Sequence, residues 1–189
     1  EQKDDWSFRR SRWFNAVEKE CKNVRENVGI LDMTAFAKCR IKGPGAEEFL
    51  DNLVANKLPK KVGRINLCHA LNTKGGVHSE FTIMREAENS FYLVSAGAFQ
   101  RLDHDWILRW MPNDGSVQFE NLTNSTGVLV VSGPKARELM KRVSKDDFSN
   151  ENFKWLSAKN VDVGYAPVNA MRVNFVGELG WELHHPIEY

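Results

Sequence analysis

The chain has 189 residues, with 26 Lys and Arg against 25 Asp and Glu, a formal net charge of +1, and 42% hydrophobic residues. Such a composition makes one large globular domain or two small ones and carries no basic footprint for nucleic acid. No apolar run approaches the roughly 20 residues that span a bilayer, and Glu1-Gln2-Lys3-Asp4-Asp5 has neither region of a signal peptide.

Residues 12–26 carry Phe14, Val17, Cys21 and Val24 at helical spacing, and residues 28–33 read as extended. A strand over 37–42 ends at Gly43-Pro44-Gly45. A helix over 44–56 follows, with Phe49, Leu50, Leu53 and Val54 as its buried stripe. Strands over 66–72 and 77–85 join through Lys74-Gly75-Gly76, and residues 91–95 form another. Beyond Gly97 a helix carries Phe99, Leu102, Trp106 and Trp110, and Pro112 and Gly115 stop it. Strands over 117–122 and 127–131 come next, the second passing through Ser132-Gly133 into a helix over 134–143. Short strands over 160–165, 168–175 and 180–184 complete the reading, and the chain is expected to be a piece of a longer protein.

Ile41-Lys42-Gly43-Pro44-Gly45-Ala46-Glu47-Glu48 recurs as Val131-Ser132-Gly133-Pro134-Lys135-Ala136-Arg137-Glu138, offset by 90 residues. Gly-Pro is common punctuation before a helix, yet the longer match favours two related α+β subdomains, residues 1–125 and 126–189. Strands and helices mix without strict alternation, so the fold class is α+β rather than a doubly wound sheet.

Neither glycine cluster fits a P-loop or a dinucleotide fingerprint. The five histidines are scattered and read as surface or packing residues, and no metal-ligand spacing or serine elbow occurs. Cys21, Cys39 and Cys68 form an odd, widely spaced set that fits a reducing compartment. Two carboxylates stand out. Glu80 lies in an apolar strand whose alternation puts Val77, Ser79, Phe81 and Ile83 on one face and Glu80 with His78, Thr82 and Met84 on the other. There it is either a solvated residue or a group that orients or deprotonates an amine. Glu182 re-enters a strand between Trp181 and Leu183 after the Gly177–Gly180 bend. It is either an edge residue facing water or a bidentate acceptor for a ring with adjacent N–H donors, such as a pterin.

Trp13-Phe14, Glu20-Cys21, Val28-Gly29-Ile30-Leu31-Asp32-Met33, Lys42-Gly43-Pro44-Gly45-Ala46, Leu71-Asn72, Gly75-Gly76, Ser132-Gly133-Pro134 and Gly177-Glu178-Leu179-Gly180-Trp181-Glu182-Leu183 follow one another in an order that resembles the folate-binding aminomethyltransferase family, that of the glycine cleavage T-protein. Within it, Trp13-Phe14 and Leu179-Gly180-Trp181 are most similar to the C-terminal folate domain of dimethylglycine and sarcosine dehydrogenases. The resemblance implies the first two subdomains of that fold, the second ferredoxin-like and incomplete, since the family continues into further folate-contacting elements. It implies tetrahydrofolate as cofactor, and FAD in a separate upstream domain of the same polypeptide. There an N-methyl amine (dimethylglycine or sarcosine) is oxidised, and its one-carbon unit is captured as methylenetetrahydrofolate. Glu80 falls where the family places an acidic residue, commonly Asp, beside the reacting folate nitrogen. Glu182 falls where a Glu holds the pterin, Phe175 where many relatives have Tyr, and Leu58 is a further folate contact. Alternatives are a stand-alone glycine-cleavage aminomethyltransferase and a non-catalytic folate-binding regulatory module. The implied location is the cytoplasm, or the mitochondrial matrix in a eukaryote.

Overall fold

A computed structural model describes Trp6 and residues 8–189, so the signal-peptide reading of residues 1–5 lies outside the described residues. The elements run α1 (Phe14–Glu26), β1 (Gly29–Asp32), β2 (Ala37–Lys42), α2 (Ala46–Leu53), β3 (Ile65–Leu71), β4 (Val77–Ala87) and β5 (Ser90–Ser95). After a 3-10 turn at Gly97–Phe99 come α3 (Gln100–Trp110), β6 (Gln118–Asn121), β7 (Thr126–Ser132), α4 (Ala136–Val143), β8 (Ala158–Val163), β9 (Ala166–Met171) and β10 (Gly180–Pro186). The class is α+β, as the sequence indicates.

The strands form two antiparallel five-stranded sheets, β3-β4-β5-β2-β6 and β1-β7-β10-β9-β8. Reversed, the first order matches the second position by position. The match extends to register. Ile41 pairs with Phe91 and Arg40 with Tyr92, while Val131 pairs with Trp181 and Val130 with Glu182. The 90-residue echo thus runs from the Gly-Pro junctions into the neighbouring strands. In the second sheet β1, from the start of the chain, takes the edge that β6 takes in the first. Residue 125 immediately precedes β7, and a division there remains our proposal, with β1 crossing to the later sheet.

The two junctions are built alike. Gly43 has φ 122° and Gly133 φ 133°, a region that favours glycine. The Gly43 amide donates to the Asn89 carbonyl at 2.9 Å and the Gly133 amide to that of Leu179 at 2.8 Å. A Cβ at either position would strike a crossing backbone carbonyl, Ser116 or Asn27. This turn uses up the Gly-Pro residues, so α2 and α4 begin at Ala46 and Ala136 rather than at the prolines.

Each sheet buries one face under helices. The first core gathers Ile41, Leu50, Phe81, Phe91 and Ile107; the second gathers Val131, Met140, Phe148, Phe153 and Trp181. A third cluster joins the opposite faces, with Ile65, Met84, Tyr92 and Val94 of the first sheet against Ala158, Met171 and Val173. At this joint the Ile65 amide donates to the Leu156 carbonyl at 3.0 Å and the Ala158 amide to the Gly63 carbonyl at 2.7 Å. Gly63 (φ 76°) and Leu156 (φ 52°) occupy equivalent corners, and Leu156 is the one non-glycine residue with positive φ among the described residues.

One expectation is corrected. Leu71 pairs with Val77 but Ala70 with Ser79, so β4 carries an extra residue at His78. A bulge of this kind breaks the two-residue alternation. His78 therefore does not share the face of Glu80. It stacks on Trp106 of α3 with ring centroids 4.1 Å apart, on the side where Ser79 donates to Asp103.

Candidate functional site

Glu182 owes its direction to its neighbours in β10. Trp181 and Leu183 point into the second core, so Glu182 and His184 share the other face, which carries Met171 across the strand pair and looks toward the first sheet. His184 Nε2 lies 3.2 Å from Glu182 Oε2, and His184 Nδ1 lies 3.0 Å from the Tyr92 hydroxyl of β5. The side chains of His184 and Glu182 are only 2% and 12% exposed. A carboxylate only accepts, so Nε2–H donates to Glu182 and, in the neutral ring, Nδ1 accepts from the Tyr92 O–H. Burial pushes the Tyr92 phenol far above its ordinary acidity range, which keeps it a donor at neutral pH. Among the described residues the Glu182 carboxylate takes its hydrogen bond from His184 alone.

Glu80 stands on β4 beside Thr82 and Met84, and Met84 packs in the cluster that joins the sheets. Its Oε2 lies 2.9 Å from Nε2 of His69, directly opposite on β3, and its side chain is 61% exposed. Glu80 and Glu182 thus lie on the two sheet faces that are turned toward each other. The other two expected contacts sit elsewhere. Leu58 is enclosed in the first core, and Phe175 projects from the loop between β9 and β10 with 94% exposure. In that loop Glu178 pairs with Arg25 of α1 at 2.6 Å.

A cavity of about 560 Å³ opens between the sheets, lined among others by Arg40, Glu86, Tyr92, Asn169, His184 and His185. Glu80 and Glu182 do not line it; His184 touches both the cavity and Glu182. Arg40 is clamped by Glu86, at 2.5 and 2.7 Å, and by Glu120 at 3.0 Å. The Glu86 hydrogen bonds raise the Arg40 pKa further. Burial pushes the Glu86 carboxyl up, but hydrogen bonds from Arg40 and Ser90 and the Arg40 charge bring it below its usual value. Among the described residues Asn169 Oδ1, buried beside this cavity, has no hydrogen-bond partner. Nearby, Lys38 is wholly buried, its ammonium donating to the Thr34 and Thr126 carbonyls at 2.7 Å each; burial lowers its pKa. It ties β7 to the loop before β2.

The sequence does not single out Tyr92 or His184. Two signals were there. Glu182 and His184 are two apart on a strand and so share a face, and the 90-residue offset aligns Tyr92 with Glu182. Burial pushes the Cys39 and Cys68 thiols up to about 12 and about 11, which makes them packing residues rather than nucleophiles.

The pattern of the GCVT N-terminal domain matches residues 3–189. The chain belongs to that family. Mitochondrial dimethylglycine dehydrogenase of Rattus norvegicus is 38% identical over 180 residues, which cover 95% of this chain and 21% of that protein. The mitochondrial pyruvate dehydrogenase phosphatase regulatory subunit of Mus musculus is 32% identical over 186 residues, 97% of this chain and 21% of that protein. The crystal structure of glycine cleavage system aminomethyltransferase T from Bartonella henselae superposes with a TM-score of 0.77. It is 21% identical, covering 90% of this chain and 45% of that one, a likeness of fold. The chain spans about a fifth of the length of the curated relatives it matches. No helix among the described residues is long and apolar enough to cross a membrane.

Proposed function

We propose that this GCVT chain forms part of a tetrahydrofolate site in a dimethylglycine- or sarcosine-dehydrogenase-like enzyme. Its part would be to receive the one-carbon unit of an N-methyl amine. The observation that carries the reading is Glu182, an acceptor-only carboxylate held at one oxygen by His184 on the face that looks toward the first sheet. Its remaining acceptor capacity suits adjacent N–H donors of a pterin ring. When bound, tetrahydrofolate supplies the secondary amine that accepts the one-carbon unit.

Glu80 faces the same gap, is paired to His69 and is otherwise open, so it can orient that amine and take its proton. Phe175 offers an exposed aromatic surface from the loop before β10, and Leu58, enclosed in the first core, would meet a ligand through its backbone. FAD would belong to a separate domain of the full-length protein, upstream of these residues. The mitochondrial matrix is the location that fits the mitochondrial relatives.

The test is turnover by the full-length protein with dimethylglycine as donor. Glu80→Gln should lower methylenetetrahydrofolate formation by about a hundredfold or more while tetrahydrofolate binding holds. Unchanged turnover would refute the catalytic role. The likeness to a regulatory subunit favours a second reading, a folate-binding regulatory module. Under that reading wild-type protein binds tetrahydrofolate and forms no product.

A further inference from the structure

Tyr92 and Glu182 hold equivalent places in the two halves of the fold, one opposite Arg40 in β2 and the other opposite Val130 in β7. They come from different sheets, and the His184 ring spans the gap between them. That ring has little freedom. Its edge meets the Tyr92 ring at 90° with centroids 5.4 Å apart, both nitrogens are engaged, and its strand neighbours Leu183 and Val128 are buried. A carboxylate on a free glutamate side chain samples several rotamers. One fixed by a buried N–H donor presents its second oxygen in a constant direction, which is what binding a flat ring edge requires.

We propose that His184 is the positioning residue for Glu182 and that the Tyr92 hydroxyl sets its tautomer, so that the first sheet fixes the orientation of the carboxylate on the second. The inference rests on the folate reading of Glu182. It adds a condition: the site is assembled only when the two sheets are correctly seated against each other. Tyr92 is part of the cluster that seats them, with Met84 and Val94 beside it and Met171 opposite. Any change that shifts the sheets therefore turns the ring and loosens the carboxylate.

Two amides distinguish positioning from packing. Glutamine places an N–H donor near the Nε2 position, within reach of Glu182, whereas asparagine reaches only the Nδ1 position, toward Tyr92. Tetrahydrofolate affinity of the full-length protein is measured by anaerobic calorimetry for wild type, Glu182→Ala, His184→Gln, His184→Asn and Tyr92→Phe, with thermal melts alongside. His184→Asn should weaken binding by about tenfold to a hundredfold, the scale of a hydrogen bond to a charged group. His184→Gln should stay within about threefold of wild type, and Tyr92→Phe should fall between the two. Combined with Glu182→Ala, His184→Asn should add nothing further. If Glu182→Ala weakens binding but His184→Asn and Tyr92→Phe do not, the positioning role is wrong and the folate reading stands. If both amides weaken binding equally, the ring acts by packing and the inference is overturned. If Glu182→Ala leaves affinity unchanged, the folate reading of Glu182 falls and the inference with it. Should His184→Asn melt early, Tyr92→Phe, which removes one oxygen, decides alone.

Discussion

The joint between the two sheets offers a sharp test of the repeat. Gly63 has φ 76°, and a Cβ built there would lie 2.9 Å from the Ala158 carbonyl oxygen. Gly63→Ala forces a side chain into the left-handed region, at roughly 1–2 kcal/mol. It also pushes on Ala158, whose amide bonds the Gly63 carbonyl at 2.7 Å; loosening that bond costs about 0.5–1.5 kcal/mol. Reduced freedom of the unfolded chain returns roughly 0.4–1 kcal/mol. The net is about 2 kcal/mol, which raises local opening by roughly thirtyfold. Amide hydrogen exchange on the full-length protein should show it at Ile65 and Ala158, on both strands of the joint. Leu156→Gly, at the equivalent corner, relieves the same strain while losing a partly buried side chain, and should stay within about 1 kcal/mol of wild type. Exchange unchanged at Ala158 in Gly63→Ala would refute the claim that these corners lock the sheets.

Trp181 is fully buried against Phe148 and Phe153, so Trp181→Ala should cost about 3–5 kcal/mol, read from the urea midpoint. The Glu86 carboxyl titrates below its ordinary 4.5 in the folded protein, so its contribution is complete above that pH and is lost as pH falls through the folded value. Glu86→Gln should therefore lower stability at neutral pH and flatten its decline below about pH 4.5, seen in urea midpoints across the acid range. Native protein at pH 8 should react with iodoacetamide at exposed Cys21 and not at buried Cys39 or Cys68, which label only on unfolding.

Local pattern carried much of this fold. Gly43-Pro44 and Gly133-Pro134 announce two matching strand-to-helix junctions because only glycine tolerates the crossing backbone there. The buried side of β4 reads correctly at Ser79, Phe81 and Ile83. His78 does not, since the bulge that turns it depends on how β3 and β4 align. The destination of β1 is equally hidden: four residues at a sheet edge hold no record of pairing with Val130 and Val131, a hundred positions on. At the candidate site the direction of Glu182 follows from its neighbours Trp181 and Leu183. Its hydrogen-bonded support does not, because Tyr92 and His184 meet only after the two halves dock.

The most direct measurement is calorimetric titration of tetrahydrofolate into the full-length protein and its Glu182→Ala variant. The folate assignment predicts saturable binding by wild type that the substitution weakens by at least about tenfold. Equal affinity in the two proteins, or no binding by wild type, would contradict it.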